Sequence, residues 1–150
     1  MKRQSQCVCV NLRRAARATS QLYDSALAAA GVKVTQFSLL RAIERHEPAA
    51  ITTLAEDLDL DRTTLARNLL PLQRDRLVKL AAGEDQRVTE VRLTAKGRRA
   101  IANALPLWER VQGEVAQRLG IARIEQLREI AGAAIAAAMS ERPAKRRSAV

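Results

Sequence analysis

Between Thr52 and Gly97 the hydrophobic rhythm of the chain changes from helical to alternating, and the order of those changes leaves few folds open. Leu54, Ala55 and Leu58 recur at the spacing of one helix face. A turn around Asp59 and Leu60 leads to Asp61, a residue type that caps helices, and to a second helix opening DRTTLARN at Asp61 to Asn68. Alternation follows over Val78 to Ala82, then a polar tip GEDQR at Gly83 to Arg87, then a returning strand Val88 to Leu93. Two short helices joined tightly and followed at once by a hairpin predict a small α+β unit. Asp59 stands where such turns commonly carry glycine. Aspartate tolerates the left-handed conformation better than most residues, so the turn survives the exchange.

Long helices flank this unit. Leu12, Ala15, Ala16, Thr19, Leu22, Tyr23, Ala26 and Leu27 mark a helix over Cys9 to Ala30 that ends near Gly31. A second helix begins close to Thr35, buries Phe37, Leu39, Leu40 and Ile43, and stops before Pro48. Ile51 is placed to add a third short strand to the hairpin. Thr52 or Thr53 then caps the next helix, and Thr53 with Glu56 has capping-box spacing. After the hairpin, Thr94 caps a helix that carries Ile101, Leu105, Trp108, Val115 and Leu119 and breaks at Gly120. A last helix over Ala122 to Met139 shows Ile124, Leu127, Ala131, Ala134, Ile135 and Ala138 on one side. Pro71 and Pro106 fall inside helices and predict a bend at each.

The first helix and the two after the hairpin have more apolar stripe than the small central unit can cover. They predict a helical homodimer interface, with an intramolecular bundle as the alternative. Residues 6–34 and 98–140 therefore form the expected dimerisation region, 35–97 the central unit, and 141–150 a basic, disordered tail.

The chain of 150 residues has 26 Lys+Arg against 16 Asp+Glu, a net charge of +10, which predicts salt-sensitive attraction to a polyanion. Arginine, threonine and asparagine at a helix start are groups that reach phosphates and base edges in a major groove. Catalysis has little to work with: there is one histidine, His46, no glycine-rich phosphate loop, and no nucleophile beside a base at a recognisable spacing. One histidine and a distant cysteine pair cannot supply an ordinary metal site, so neither metal nor cofactor is expected. The apolar runs CVCV near the N-terminus and Ala131 to Met139 are too short for a signal-peptide core or a membrane span, which points to the cytoplasm, beside the nucleoid.

Asp85, Gln86 and Arg87, followed by Leu93, Thr94 and Gly97, resemble the D-x-R…L-T-x-x-G wing signature of the MarR family of winged helix-turn-helix regulators. LAEDLDLDRTTLARNLLPL and TQFSLLRAI resemble that family as well, and the likeness spans about residues 10 to 140. It implies a mainly α winged helix-turn-helix fold, double-stranded DNA as partner, and a homodimeric transcriptional regulator, in particular a repressor on a palindromic operator. By resemblance, Thr63, Thr64, Arg67 and Asn68 face the groove. Arg67 suits guanine, Asn68 adenine or phosphate, and threonine methyls suit thymine. Arg62 and Arg74 are better placed for phosphate. Arg87, at the hairpin tip, suits a narrow A/T-rich minor groove, and Asp85 is expected to hold Arg87 or a recognition-helix arginine in position.

The releasing signal is open. Many members of the family bind small aromatic anions between the dimer helices and the winged region, where Tyr23, Phe37, His46 and Trp108 are the available rings. Each of these has an alternative role in the core or the dimer contact. Cys7 and Cys9 are read first as small buried thiols, with redox or soft-metal sensing as alternatives. A protein that coats DNA without sequence choice is the remaining contrast. It would share the charge but have no need of a base-reading helix.

Overall fold

The computed structural model describes residues 5–85 and 87–140. The tail expected to be disordered, 141–150, lies outside the described residues, as does Gln86 of the wing motif. The chain divides into two compact units between Val111 and Gln112.

The first unit opens with α1 (Val8–Leu27), a 3₁₀ turn over Ala28–Ala30, and Gly31, whose φ of 70° ends the helical run. Then follow α2 (Val34–Arg45), β1 (Ala49–Ala50), α3 (Ile51–Asp57), α4 (Arg62–Arg74), β2 (Val78–Ala82), β3 (Thr89–Leu93) and α5 (Ala95–Leu119). The start of α2 is satisfied twice. Val34 N–H donates to Asp24 Oδ1 at 2.7 Å, and Lys33 N–H to Gln36 Oε1 at 2.9 Å. The three strands form an antiparallel sheet in the order β1-β3-β2, with Ala49 opposite Val91, and Val78 opposite Leu93.

Two expectations fail at one place. The third strand is Ala49–Ala50, not a strand at Ile51, and α3 starts at Ile51 with Ala50 as its cap residue and no side-chain cap. Thr52 and Thr53 are thus inside the helix and cap nothing. The alanine pair has no strand preference of its own; it is extended because β3 supplies the partner.

The core is continuous through the first unit. Leu27, Leu40, Ile43, Leu54, Leu65, Leu69, Leu72 and Val91 are completely buried, and each such leucine contributes about 2 kcal/mol by leaving water. Alternation holds in β3, with Val91 and Leu93 inside and Arg92 outside. α1 contributes only Leu27 to this core and leaves Val8, Val10, Leu12 and Leu22 exposed. The second unit comprises the end of α5 and α6 (Ile121–Ser140), separated by Gly120 at φ 86°. Within it Ile121, Leu127, Ile130 and Ile135 are exposed.

Two joints position the hairpin. Thr94 donates its hydroxyl to the Arg76 carbonyl at 2.7 Å and accepts from Gly97 N–H at 3.0 Å, so it caps α5 while holding the turn after α4. Glu47 accepts from Leu93 N–H at 3.0 Å through one oxygen and from the Arg98 guanidinium at 2.6 Å through the other.

Candidate nucleic-acid interface

The helix-turn-helix is α3, a tight turn, and α4. Asp59 in the turn adopts φ 52°, the left-handed position its residue type was expected to tolerate. Asp61 then caps α4 with both oxygens. Oδ1 accepts from Thr64 N–H and Oδ2 from the Thr64 hydroxyl, each at 2.8 Å. Those bonds, from the Thr64 backbone first and its hydroxyl second, hold the Asp61 carboxyl below the usual carboxylate range. Arg67 Nη2 lies 3.5 Å from the Thr64 hydroxyl, so one capping carboxylate orders the first turn as far as the arginine.

Leu65, Leu69 and Leu72 bury one side of α4. At about 100° per residue, Thr63, Arg67 and Arg74 project from the opposite side. Arg62, Thr63, Arg67, Asn68 and Arg74 are exposed and Thr64 is half-buried. Asn68 leaves the helix about 100° round from Arg67, and the Thr64 hydroxyl is already engaged by Asp61. Arg74 pairs with Asp75 at 3.1 Å, which keeps the Asp75 carboxyl ionised to lower pH and offsets part of the arginine's charge.

The wing tip is closed by its own main chain. Gly83 N–H donates to Val88 C=O and Val88 N–H to Asp85 C=O, both at 2.8 Å, and Arg87 N–H donates to Asp85 Oδ1 at 3.0 Å. Asp85 therefore shapes the backbone that presents Arg87, whose side chain is exposed at the tip. Neither a recognition-helix arginine nor the Arg87 guanidinium pairs with it among the described residues.

A cavity of about 300 Å³ opens between α2 and α5, lined by Val34, Phe37, Ser38, Arg41, Arg45, Leu105 and Trp108. The Phe37 and Trp108 rings stand 6.2 Å apart and tilted by 39°, an ordinary aromatic pair. Arg41 and Arg45 give the apolar floor a basic rim. Arg41 pairs with Glu44, and Arg45 reaches Asp57 at 2.7 Å, a bond that lowers the Asp57 carboxyl below its usual range.

Comparison with solved structures places this arrangement. MosR, a transcriptional regulator of M. tuberculosis solved in complex with DNA, is 42% identical, with 91% of this chain and 99% of MosR covered at a TM-score of 0.80. The chain belongs to the MarR family of transcriptional regulators. The same fold recurs in a MarR-family regulator from Rhodococcus sp. RHA1, 20% identical with 87% and 96% of the two chains covered and a TM-score of 0.67. It recurs again in BpsR of Bordetella bronchiseptica, 19% identical over 88% and 98% of the two chains with a TM-score of 0.73. BpsR's DNA binding is regulated by 6-hydroxynicotinic acid. No family model matches the chain, and no curated protein matches it.

In this MarR-family chain the four expected pocket rings do not converge. Phe37 and Trp108 line the cavity, whereas Tyr23 and His46 are not among its lining residues. Tyr23 is half-buried, and burial pushes its phenol up. His46 turns toward α3, with Nε2 3.4 Å from Asp57 Oδ2, sealed from solvent and without a hydrogen bond. Arg41, Arg45 and Leu105 were not singled out as pocket residues from the sequence. Phe37, Arg41 and Arg45 recur every four residues and so share a face of α2, a spacing the sequence displays.

The reading of Cys7 and Cys9 as buried thiols is also corrected: both are exposed in the single chain. Cys7 is the extended residue before α1 and Cys9 lies in its first turn, beyond the reach of the core that Leu27 joins. No group of three or more histidine, cysteine or acidic side chains able to hold a metal occurs among the described residues. No single helix among them is long and apolar enough to cross a membrane.

Proposed function

We propose that the chain is a sequence-specific DNA-binding transcriptional repressor that works as a homodimer in the cytoplasm, on the nucleoid. The observation that carries this is the outward face of α4, where Thr63, Arg67 and Arg74 stand clear of a buried leucine face behind an ordered cap, with exposed Arg87 on the adjoining wing. The crystal structure of MosR with DNA supports it. Arg67 and Asn68 read base edges, Thr63 and Thr64 contribute methyl contacts, Arg62 and Arg74 meet phosphate, and Arg87 enters the minor groove over an Asp85-shaped tip. The exposed apolar side chains of α1 and, separately, of α6 support self-association. Two recognition helices then meet half-sites about 34 Å apart on an imperfect palindrome. Repression follows by occlusion of promoter DNA. Catalysis has no part in this reading.

The α2–α5 cavity is the effector site in this reading. Its aromatic floor and two arginines suit a small aromatic carboxylate, and the regulation of BpsR by 6-hydroxynicotinic acid supports that class. A ligand there favours one orientation of the DNA-reading helices over another and so changes DNA affinity.

The test is binding to DNA upstream of the chain's own gene against random duplex at physiological salt. About a thousandfold preference is expected, and equal binding to both would identify a DNA-coating protein instead. Repeating it without reductant, with Cys7→Ser and Cys9→Ser variants, separates a thiol signal from a small-molecule one.

A further inference from the structure

Leu70 sits in the middle of the helix face assigned above to DNA, and it is open to solvent. Its exposure is 61%, against 40% for Leu80 and 37% for Val88, the other exposed large apolar side chains of the winged region. With about 100° per residue, Thr63, Arg67, Leu70 and Arg74 fall within about 60° of one another, diametrically opposite the buried Leu65, Leu69 and Leu72. Leu70 is thus flanked along one stripe by two arginines, one a turn before it and one a turn after. It makes no contribution to the core, and leucine offers nothing to a phosphate.

The partner that fits this sequence of groups offers hydrogen-bond acceptors to Arg67 at one end, negative charge to Arg74 at the other, and an apolar feature between them. A DNA major groove is that surface: phosphates border it, and the thymine C5-methyl is its apolar group. We infer that Leu70 is a specificity-determining residue that packs on a thymine methyl in the half-site and selects thymine there. The inference rests on the proposed DNA-binding function. It adds a readout that needs no hydrogen bond: a methyl group leaving water against an aliphatic side chain is worth a factor of about four in affinity.

The probe is a duplex selected by the wild-type protein from random sequence, remade with deoxyuridine in place of thymidine at one position at a time. Uracil keeps every hydrogen-bonding group of thymine and lacks only the methyl. Wild-type protein is expected to lose about fourfold at one thymine of each half-site, and Leu70→Ala to bind thymine and uracil duplexes alike at that position. Because Leu70 is exposed and alanine is a strong helix former, the variant keeps the fold, and an unchanged urea midpoint verifies this. Equal wild-type affinity for every thymine and uracil pair overturns the inference, as does discrimination that survives Leu70→Ala at every thymine, which would leave all the methyl contacts to Thr63 and Thr64. Failure to select any sequence overturns the DNA-reading function itself and the inference with it.

Discussion

A Cβ on Gly97 would stand 2.1 Å from the carbonyl oxygen of Leu77, so the first turn of α5 rests on the start of β2 at a distance only a bare backbone permits. Thr94, three residues earlier, donates to the carbonyls of Arg76 and Leu77 and accepts from Gly97 N–H. The threonine and glycine of the L-T-x-x-G pattern are therefore two halves of one joint. Gly97→Ala must push α5 off the hairpin, and we expect a loss of about 3 kcal/mol, read as a lowered urea midpoint. An unchanged midpoint would mean that α5 is not seated there.

Asp61→Ala removes the side-chain acceptor that caps α4, lowering the thermal midpoint by a few degrees and weakening DNA binding through the disordered first turn. The pH dependence has a definite sign. The carboxyl sits below its unfolded value of about 3.9, so its stabilisation is complete above that pH and is lost as pH falls through the lower folded value. Asp61→Asn keeps the cap but removes this contribution. Unfolding curves between pH 2 and 5 that match for wild type and Asp61→Asn would refute the assignment.

Arg76 holds φ 56° at the exit from α4, a conformation that suits glycine. Thr94 binds its carbonyl, not its side chain, so the joint survives substitution. Arg76→Gly is expected to stabilise the protein by about 0.5–1 kcal/mol, the relief of left-handed strain less the added entropy of the unfolded chain. Chemical denaturation decides it, and destabilisation would show that the arginine side chain has a structural partner.

Arg87→Ala is expected to reduce the salt slope of DNA binding by about one and to erase any preference for A/T-rich flanks. Asp85→Ala frees the Arg87 N–H and loosens the tip. It should reproduce the loss of flank preference while leaving the arginine's contribution to the salt slope in place. Titrations at several salt concentrations separate the two effects.

Trp108 is the single tryptophan of the chain and lies on the α2–α5 cavity. Binding of an aromatic carboxylate there should change its fluorescence, and Arg45→Ala should weaken that response several-fold. A response unaltered by the substitution would place the ligand elsewhere.

These features differ in how openly the chain announces them. The Asp61 cap, the left-handed Asp59 and the break at Gly120 follow from residue chemistry acting over a few positions, which one sequence displays fully. Ala49–Ala50 is extended only because β3 lies beside it, and alanine carries no trace of that partnership; the cap assigned to Thr53 failed for the same reason. The lining of the α2–α5 cavity is a different case. Tyr23, Phe37, His46 and Trp108 were grouped as the available rings, but a cavity wall is chosen by tertiary neighbours, and α2 brings Arg41 and Arg45 to it along with Phe37. Exposure of Cys7 and Cys9 was equally illegible, since nothing local states where a helix outruns the core it joins.

Glu47 has a consequence for motion in the first unit. Its two oxygens hold the Leu93 backbone and the Arg98 guanidinium, so the loop leaving α2, the last residue of the wing and the opening of α5 meet in one knot. The knot is charge-assisted and lies close to the cavity-bearing helix. The loop that follows α2 is thereby tied by hydrogen bonds to β3 of the wing and to α5. The wing is in that sense anchored to α2 at its root, while its tip, among the described residues, is held only by its own main chain and Asp85.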